Sequence, residues 1–255
     1  MKMKKISIYF IVLLFAFACS AKKDSVKKTP SFDAETAFKQ VDEKMKIGRF
    51  EEAREILDTI KTKDTSGEYV PVAQIRTGDT YFKEGLYEEA AVEYGHFLKI
   101  HVYHKYAPYA QYQLAMTYFK RIKTIDVSYS EVQKALQEFE KLLKLYPRNP
   151  YINLVENRIK TCKDNLAEYE FYVGKFYFKK GSYGAAAGRF NDLLLEYPDS
   201  KMEMETLYYL GLSYKNSGEK DKSLKALTTL IEKYPAASIS HEAQGIIASL
   251  GEKRQ

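Results

Sequence analysis

Three kinds of side chain in this 255-residue sequence could do chemistry: a histidine cluster, two cysteines and a recurring aromatic–lysine triplet. His101 and His104 lie three residues apart, with His96 five residues before His101. Two imidazoles at that spacing could share a metal ion, but no neighbouring carboxylate or thiol completes a tetrahedral set. The sequence also lacks a phosphate-binding loop, a nucleophile elbow and a zinc-protease signature. We therefore predict no catalytic residue, no metal site and no bound cofactor.

Cys19 is a candidate for covalent lipid attachment. Residues 1–18 begin with three lysines and continue with a 13-residue apolar run from Ile6 to Ala18. As a helix this run would extend about 20 Å, less than the roughly 30 Å hydrocarbon core of a bilayer, and so predicts a secretory signal peptide. A small residue directly before the cysteine resembles a bacterial lipoprotein processing site, which implies an N-acyl diacylglycerol on Cys19. Ordinary signal cleavage near Cys19 is the alternative.

The segment after Cys19 differs in character from the rest of the chain. Residues 19–33 lack hydrophobic periodicity and are predicted to form a lipidated flexible tether, and Ser20 in place of aspartate points to the outer membrane. Removal of residues 1–18 takes away three lysines and lowers the net charge from +6 to +3, which gives no indication of nucleic-acid binding. Cys162 would then be the only thiol, so it is expected to be a small core residue without a disulfide.

The aromatic–lysine triplet Tyr-Phe-Lys occurs at residues 81–83, 118–120 and 177–179, and its recurrence reflects an internal repeat. Gly174 and Pro198 are 24 residues apart, as are Gly211 and Pro235, at the offsets of the tetratricopeptide pattern. Small residues at those positions let paired helices approach closely. The sequence therefore predicts an all-α tetratricopeptide-repeat solenoid of about five helix pairs plus a C-terminal helix.

Two irregularities define the organisation of the solenoid. The segment RIKTIDVSYS lengthens the turn inside repeat three, and repeat four has an elongated first helix from near Tyr151 to Lys180. We predict that residues 34–150 hold repeats one to three, and that residues 151–255 hold repeats four and five and a final helix from roughly Ile239 to Leu250. The long helix would join these two groups.

The register of the repeats gives the triplet residues separate roles. The tyrosines are expected to pack between helices, whereas the phenylalanines and lysines fall on the concave surface. The alternative is that the phenylalanines merely pack against the next helix. An aromatic groove flanked by lysines favours an extended peptide with aromatic side chains and a carboxylate. The candidate groove residues are Phe38, Ile75, Phe82, Lys83, Tyr109, Tyr112, Phe119 and Lys120.

The stretch from Tyr129 to Ser200 resembles the BamD (YfiO) family of outer-membrane lipoproteins. The resemblance is carried by the insertion before helix B of repeat three, the junction LYPRNPY, the long helix containing KDNLAEYE and the close FNDLLLEYPD. It implies a lipid-anchored subunit of the β-barrel assembly machinery on the periplasmic face of the outer membrane. Its amino-terminal repeats would receive the aromatic-ending signal of unfolded barrel proteins.

The same resemblance implies that the last repeats dock on a BamA-type barrel subunit, beside companion lipoproteins. The candidate docking residues are Lys215, Asn216 and Glu219. The alternative function is a periplasmic tetratricopeptide scaffold lipoprotein of another envelope, secretion or motility complex. An enzyme is the least favoured class, because no paired catalytic groups are found.

Overall fold

The protein was analysed as a computed structural model, which describes residues 32–124, 128–198 and 200–251. These ranges contain eleven α-helices and no strand. The helices are α1 Ala34–Lys46, α2 Phe50–Lys63, α3 Val70–Glu84, α4 Tyr87–Ile100, α5 Ala107–Lys120, α6 Tyr129–Leu145, α7 Ile152–Lys179, α8 Tyr183–Glu196, α9 Glu203–Asn216, α10 Lys220–Lys233 and α11 Ser238–Gly251. The predicted signal peptide, Cys19 and most of the tether lie outside the described residues. From Asp33 onward the described residues form one compact unit.

Each helix packs on the next along the chain, in five antiparallel pairs followed by α11. Ion pairs show the direction of the helices: Lys44 at the end of α1 contacts Glu52 at the start of α2 at 2.5 Å. In the same way, Arg54 near the start of α2 contacts Glu84 at the end of α3 at 2.6 Å. The predicted all-α tetratricopeptide solenoid is confirmed, and the final helix is where the sequence placed it.

Close approach within the pairs depends on glycine at the position that the repeat pattern indicates. A Cβ at Gly78 would lie 2.7 Å from the Tyr94 ring, and a Cβ at Gly174 would lie 2.5 Å from the Phe190 ring. The third such glycine, Gly211, would meet Leu227 at 2.4 Å. These distances are shorter than van der Waals contact, so a larger residue would force the helices apart.

The helix α7 is elongated, as predicted, with 28 residues against 17 in α6 and 14 in α8. Its first half packs on α6, where Val155 and Cys162 share a core with Phe139, and its second half packs on α8 through Gly174. Cys162 is fully buried near its centre, and burial raises the pKa of the thiol to about 12. Thus α7 belongs to the core of both groups of repeats.

The antiparallel arrangement places the N-termini of α1, α3 and α5 at the same edge as the C-termini of α2, α4 and α6. We call this the loop edge, and the opposite edge, which holds the tight turns after α1 and α3, the turn edge. Ring contact between Phe38 and Tyr69, 6.2 Å apart, joins α1 to the α2–α3 loop at the loop edge. The Tyr146 hydroxyl donates to the Val102 carbonyl at 2.9 Å, which joins the next two loops.

Within the described ranges, no helix is both long and apolar enough to cross a membrane.

Candidate functional site

A groove of about 370 Å³ lies between α1, α3 and α5, the first helices of repeats one to three. Three of the sequence-predicted residues, Phe82, Lys83 and Tyr109, line it together. Its complete lining is Asp42, Met45, Arg76, Asp79, Phe82, Lys83, Tyr109 and Gln113. The volume is in the range of small-ligand sites, about 300 to 1,000 Å³.

A hydrogen-bonded carboxylate forms one side of this groove. Oδ1 of Asp79 accepts hydrogen bonds from the Tyr94 hydroxyl at 2.7 Å and the Tyr109 hydroxyl at 2.8 Å. Burial raises the pKa of Asp79 above its usual value, although the two hydroxyls oppose this shift. Burial and the nearby Asp79 charge raise the pKa of both tyrosines, so their phenols stay protonated. Since Gln113 Nε2 donates to the Tyr109 oxygen at 2.9 Å, the phenol ring is held in place.

Arg76 supplies a positive charge on the same face of α3. Its guanidinium pairs with Asp42 of α1 and lies 3.6 Å from the Met45 sulfur. Its buried Nε–H has no hydrogen-bond partner among the described residues. The groove therefore carries two acids beside Arg76 and Lys83, whereas the sequence predicted only flanking lysines.

Phe82 provides the aromatic surface of the groove. Its half-buried ring meets Tyr87 edge-on with 5.3 Å between centroids. Phe82 therefore lines the groove and also packs on Tyr87 of the neighbouring helix α4, so both predicted alternatives describe its position. Tyr81, the preceding residue, is half-buried under the Arg54 guanidinium, 4.3 Å from its ring, in agreement with its predicted packing role.

The other predicted groove residues do not meet at this site. Ile75 must be removed from the set, because its side chain is only 4% exposed and packs in the core around Tyr94. Tyr112 stacks on Tyr151 with centroids 4.7 Å apart. Phe119 lies edge-on to Phe139 at 6.1 Å, with the Arg158 guanidinium 4.8 Å from its ring. Phe38 lies at the loop edge against Tyr69, and Lys120 lines a separate hollow beside the α5–α6 turn.

The histidines form a ring stack that orders the α4–α5 loop. Phe97 contacts His101 at 5.1 Å and His104 at 5.6 Å between centroids, and burial lowers the pKa of His104. Among the described residues, no group of three or more potential ligands is placed to hold a metal ion.

The candidate docking residues cluster at the α9–α10 turn. Lys215 and Asn216 are exposed at the end of α9, and Glu219 is the N-cap residue of α10. The Glu219 carboxylate pairs with Lys222, whose ammonium lies 5.3 Å from the Tyr214 ring. Lys215 and Asn216 therefore extend into solvent at this turn.

Sequence reasoning missed Asp79 and Arg76. A signal for Asp79 was present: it directly follows the contact glycine Gly78, where repeats four and five have Lys175 and Leu212. A short acid inside an otherwise regular helix is unfavourable by propensity and often has a specific partner. The partner itself, Tyr109, is 30 residues away and could not be found from local spacing.

Comparison with known proteins agrees with this architecture. Residues 30–226 match the family model described as "YfiO: Outer membrane lipoprotein". The outer membrane protein assembly factor BamD of Rickettsia prowazekii is 26% identical over 232 residues, covering 91% of this chain and 92% of the relative. That of Vibrio cholerae is 23% identical over 235 residues, covering 86% and 96%.

Among solved structures, a TPR2AB-domain complex of yeast Sti1 overlaps 86% of this chain and 88% of its own, at 15% identity and a TM-score of 0.44. A tetratricopeptide protein of Thermus thermophilus overlaps 86% and 98%, at 14% identity and a TM-score of 0.37.

Proposed function

The chain belongs to the YfiO family of outer membrane lipoproteins, and from this premise we propose that it is a non-enzymatic subunit of the machinery that assembles β-barrel proteins in the outer membrane. Its groove between α1, α3 and α5 binds the carboxy-terminal segment of an unfolded barrel protein. Its last repeats dock on a BamA-type barrel subunit, and the complex promotes folding and membrane insertion. Cys19 carries the lipid that holds the chain on the periplasmic face, beside companion lipoproteins.

The observation that supports peptide binding is the pairing of an aromatic surface with positive charge in one groove. The half-buried Phe82 ring offers apolar area to an aromatic residue of the guest. Arg76 and Lys83 lie seven residues apart on α3, two helical turns, so their charges share one face of the helix, and both residues line the groove with Phe82. The terminal carboxylate of the guest peptide is attracted to these cations, while the aromatic side chain of its last residue is buried against Phe82.

Asp79 limits which guests fit. Its charge would repel a carboxylate placed directly on it, but its Oδ1 is already occupied by two phenols. The guest carboxylate is therefore directed toward the terminal amino groups of Arg76 and toward Lys83, which line the groove. Asp42 competes with the guest carboxylate for the Arg76 guanidinium. The affinity for the guest therefore depends mainly on the contact of its aromatic side chain with Phe82.

Docking on the barrel subunit is assigned to the exposed Lys215 and Asn216 at the α9–α10 turn, with Glu219 fixing the turn through Lys222. The sites for guest and partner are then on opposite sides of α7 along the chain. One molecule can hold both at once.

The peptide proposal is tested with a peptide that ends in phenylalanine with a free carboxylate, a C-terminally amidated version and a version ending in serine. Phe82→Ala should weaken binding of the first peptide about tenfold, because part of the aromatic contact area is lost. Phe176→Ala, which removes an exposed ring on α7, is the matched control and should leave the affinity unchanged. Equal binding of all three peptides would refute the groove assignment.

The assembly proposal is tested by mild detergent extraction of the tagged protein with Cys19 intact, followed by identification of co-purifying chains. A BamA-type barrel subunit should be recovered, and Lys215→Glu should reduce its yield. Recovery of a secretion or motility complex without any such barrel would instead support the alternative scaffold function.

A further inference from the structure

The α4–α5 loop exposes apolar side chains without a structural reason. Tyr103, at its tip, is 99% exposed, and Ile100, Val102 and Tyr106 are also exposed. Leu145, at the end of the adjacent α6, extends the same patch. We name these five residues the loop-edge patch. A solvated turn needs only polar residues, so an ordered cluster of this kind indicates a contact.

The loop that carries the patch is held in one conformation. The His104 ring lies 5.5 Å from the Tyr106 ring, and the Tyr106 amide donates to His104 Nδ1 at 3.2 Å. The His104 amide in turn donates to the His101 carbonyl at 3.0 Å. The Tyr146 hydroxyl fastens the loop to the next one through Val102. These contacts fix the loop backbone, so the exposed Tyr103 side chain extends from an ordered loop.

The two segments that carry the patch hold charge of one sign. Residues 99–106 and 144–151 contain Lys99, Lys105, Lys144 and Arg148 and no acidic residue. The lowered pKa of His104 keeps that imidazole from adding charge at neutral pH. Exposed tyrosines among lysines are the combination found at the membrane–water boundary, where the ring sits at headgroup level and the ammonium groups meet phosphates.

The position of the patch points to the same occupant. The N-cap residue of α1, Asp33, lies at the loop edge, so the folded unit begins there. Fourteen residues, 20–33, would separate Cys19 from α1, and an extended segment of that length spans at most about 50 Å. A lipid on Cys19 would therefore keep the loop edge within reach of the bilayer.

We propose that the loop-edge patch docks on the phosphate headgroups of the bilayer surface, with Tyr103 at the interface and Lys99 and Lys105 on lipid phosphates. This inference rests on the lipid anchor of the proposed function. The anchor alone leaves the solenoid free to turn about a flexible tether. The patch adds a second, orienting contact, so that the loop edge faces the membrane and the turn edge faces the periplasm.

The test uses a chain that begins at Ser20 and carries an N-terminal hexahistidine bound to nickel-chelating lipids, so the result does not depend on lipidation of Cys19. Because Asp33–Gln255 form a compact unit, this chain keeps every described helix. Tyr103→Cys is labelled with an environment-sensitive fluorophore. Ile47→Cys, at an exposed aliphatic position on the turn edge, is the matched control. The buried Cys162 does not compete for the label.

On vesicles containing phosphatidylglycerol, spin-labelled lipids should quench the label at position 103 about threefold more than the label at 47, as expected for a residue at the interface. Adding Lys99→Gln and Lys105→Gln should move the quenching at 103 toward the level at 47, whereas Lys179→Gln with Lys180→Gln should not. Equal quenching at 103 and 47 would overturn the proposal and leave a protein as the occupant. Loss of peptide binding with intact quenching would refute the proposed groove alone.

Discussion

The phenol of Tyr109 on α5 donates to the carboxylate of Asp79 on α3 across a distance of 2.8 Å, and this bond joins repeats two and three at the groove. The Tyr94 hydroxyl reaches the same oxygen from α4. Three helices thus share one partly buried acid. The two hydrogen bonds fix the geometry of the groove, but the Asp79 carboxylate is held where water solvates its charge poorly.

Asp79→Asn tests this trade-off through pH. The usual pKa of the carboxyl is 3.8, and burial raises it in the folded protein. Between these two values the folded state binds more protons than the unfolded state, so the contribution of Asp79 to stability falls as the pH rises and its loss is complete above the raised pKa. Asparagine can still accept from both phenols and does not titrate. The unfolding free energy of the variant, relative to the natural protein, should therefore increase from pH 3 to pH 7 in chemical denaturation.

Gly78→Ala should destabilise the protein by about 2 kcal/mol, because the added Cβ would overlap the Tyr94 ring and displace its bond to Asp79. Gly95→Ala on α4 is the control, since nothing lies within 4 Å of its added Cβ. Helix propensity predicts that this control gains up to about 1 kcal/mol. Urea unfolding of both variants measures the difference. Equal stability would contradict the close approach of α3 and α4.

The variants Phe119→Ala and Phe82→Ala should distinguish a residue that only stabilises the fold from one that also binds the peptide. Phe119 packs on Phe139 outside the groove, so its loss should lower the unfolding free energy by about 2 kcal/mol with little change in peptide affinity. Phe82→Ala should lower both. Thermal unfolding and peptide titration on the same samples distinguish the two residues. A larger affinity loss in Phe119→Ala would mean that the guest lies farther along the solenoid than the groove.

Cys162 should resist alkylation in the folded protein. Its thiol is fully buried and its pKa is raised to about 12, so the reactive thiolate is scarce at pH 8. Mass spectrometry after iodoacetamide treatment should show modification only after denaturation. Fast labelling of the native chain would indicate local opening of α7.

The repeat architecture was predictable because the tetratricopeptide pattern is a local code. Gly174 and Phe190 occur at fixed spacing, and their contact follows from helix geometry alone. The length of α7 was also predictable, since Gly174 follows Pro147 by 27 residues whereas Gly211 follows Pro198 by only 13. These features need no knowledge of distant parts of the chain.

The composition of the groove was only partly predictable. The sequence placed Phe82 and Lys83 on the concave face, and both line the groove. It assigned Ile75 to the same face two turns earlier, but there the neighbouring helices cover α3 and bury that residue in the core. The ion pair of Arg76 with Asp42 joins residues 34 positions apart, and such pairings depend on how repeats stack. Periodicity in the sequence therefore does not predict the polar partners that come from distant parts of the chain.

The length of the shared helix α7 also sets the rotation between repeats one to three and repeats four and five. Each residue of a helix advances the chain by about 1.5 Å and turns it by roughly 100°. The 28 residues of α7 therefore determine both how far repeats four and five stand from the groove and in which direction their surfaces face. An insertion of two residues would rotate the docking turn by more than half a revolution, whereas an insertion of seven would restore its heading to within about 20°.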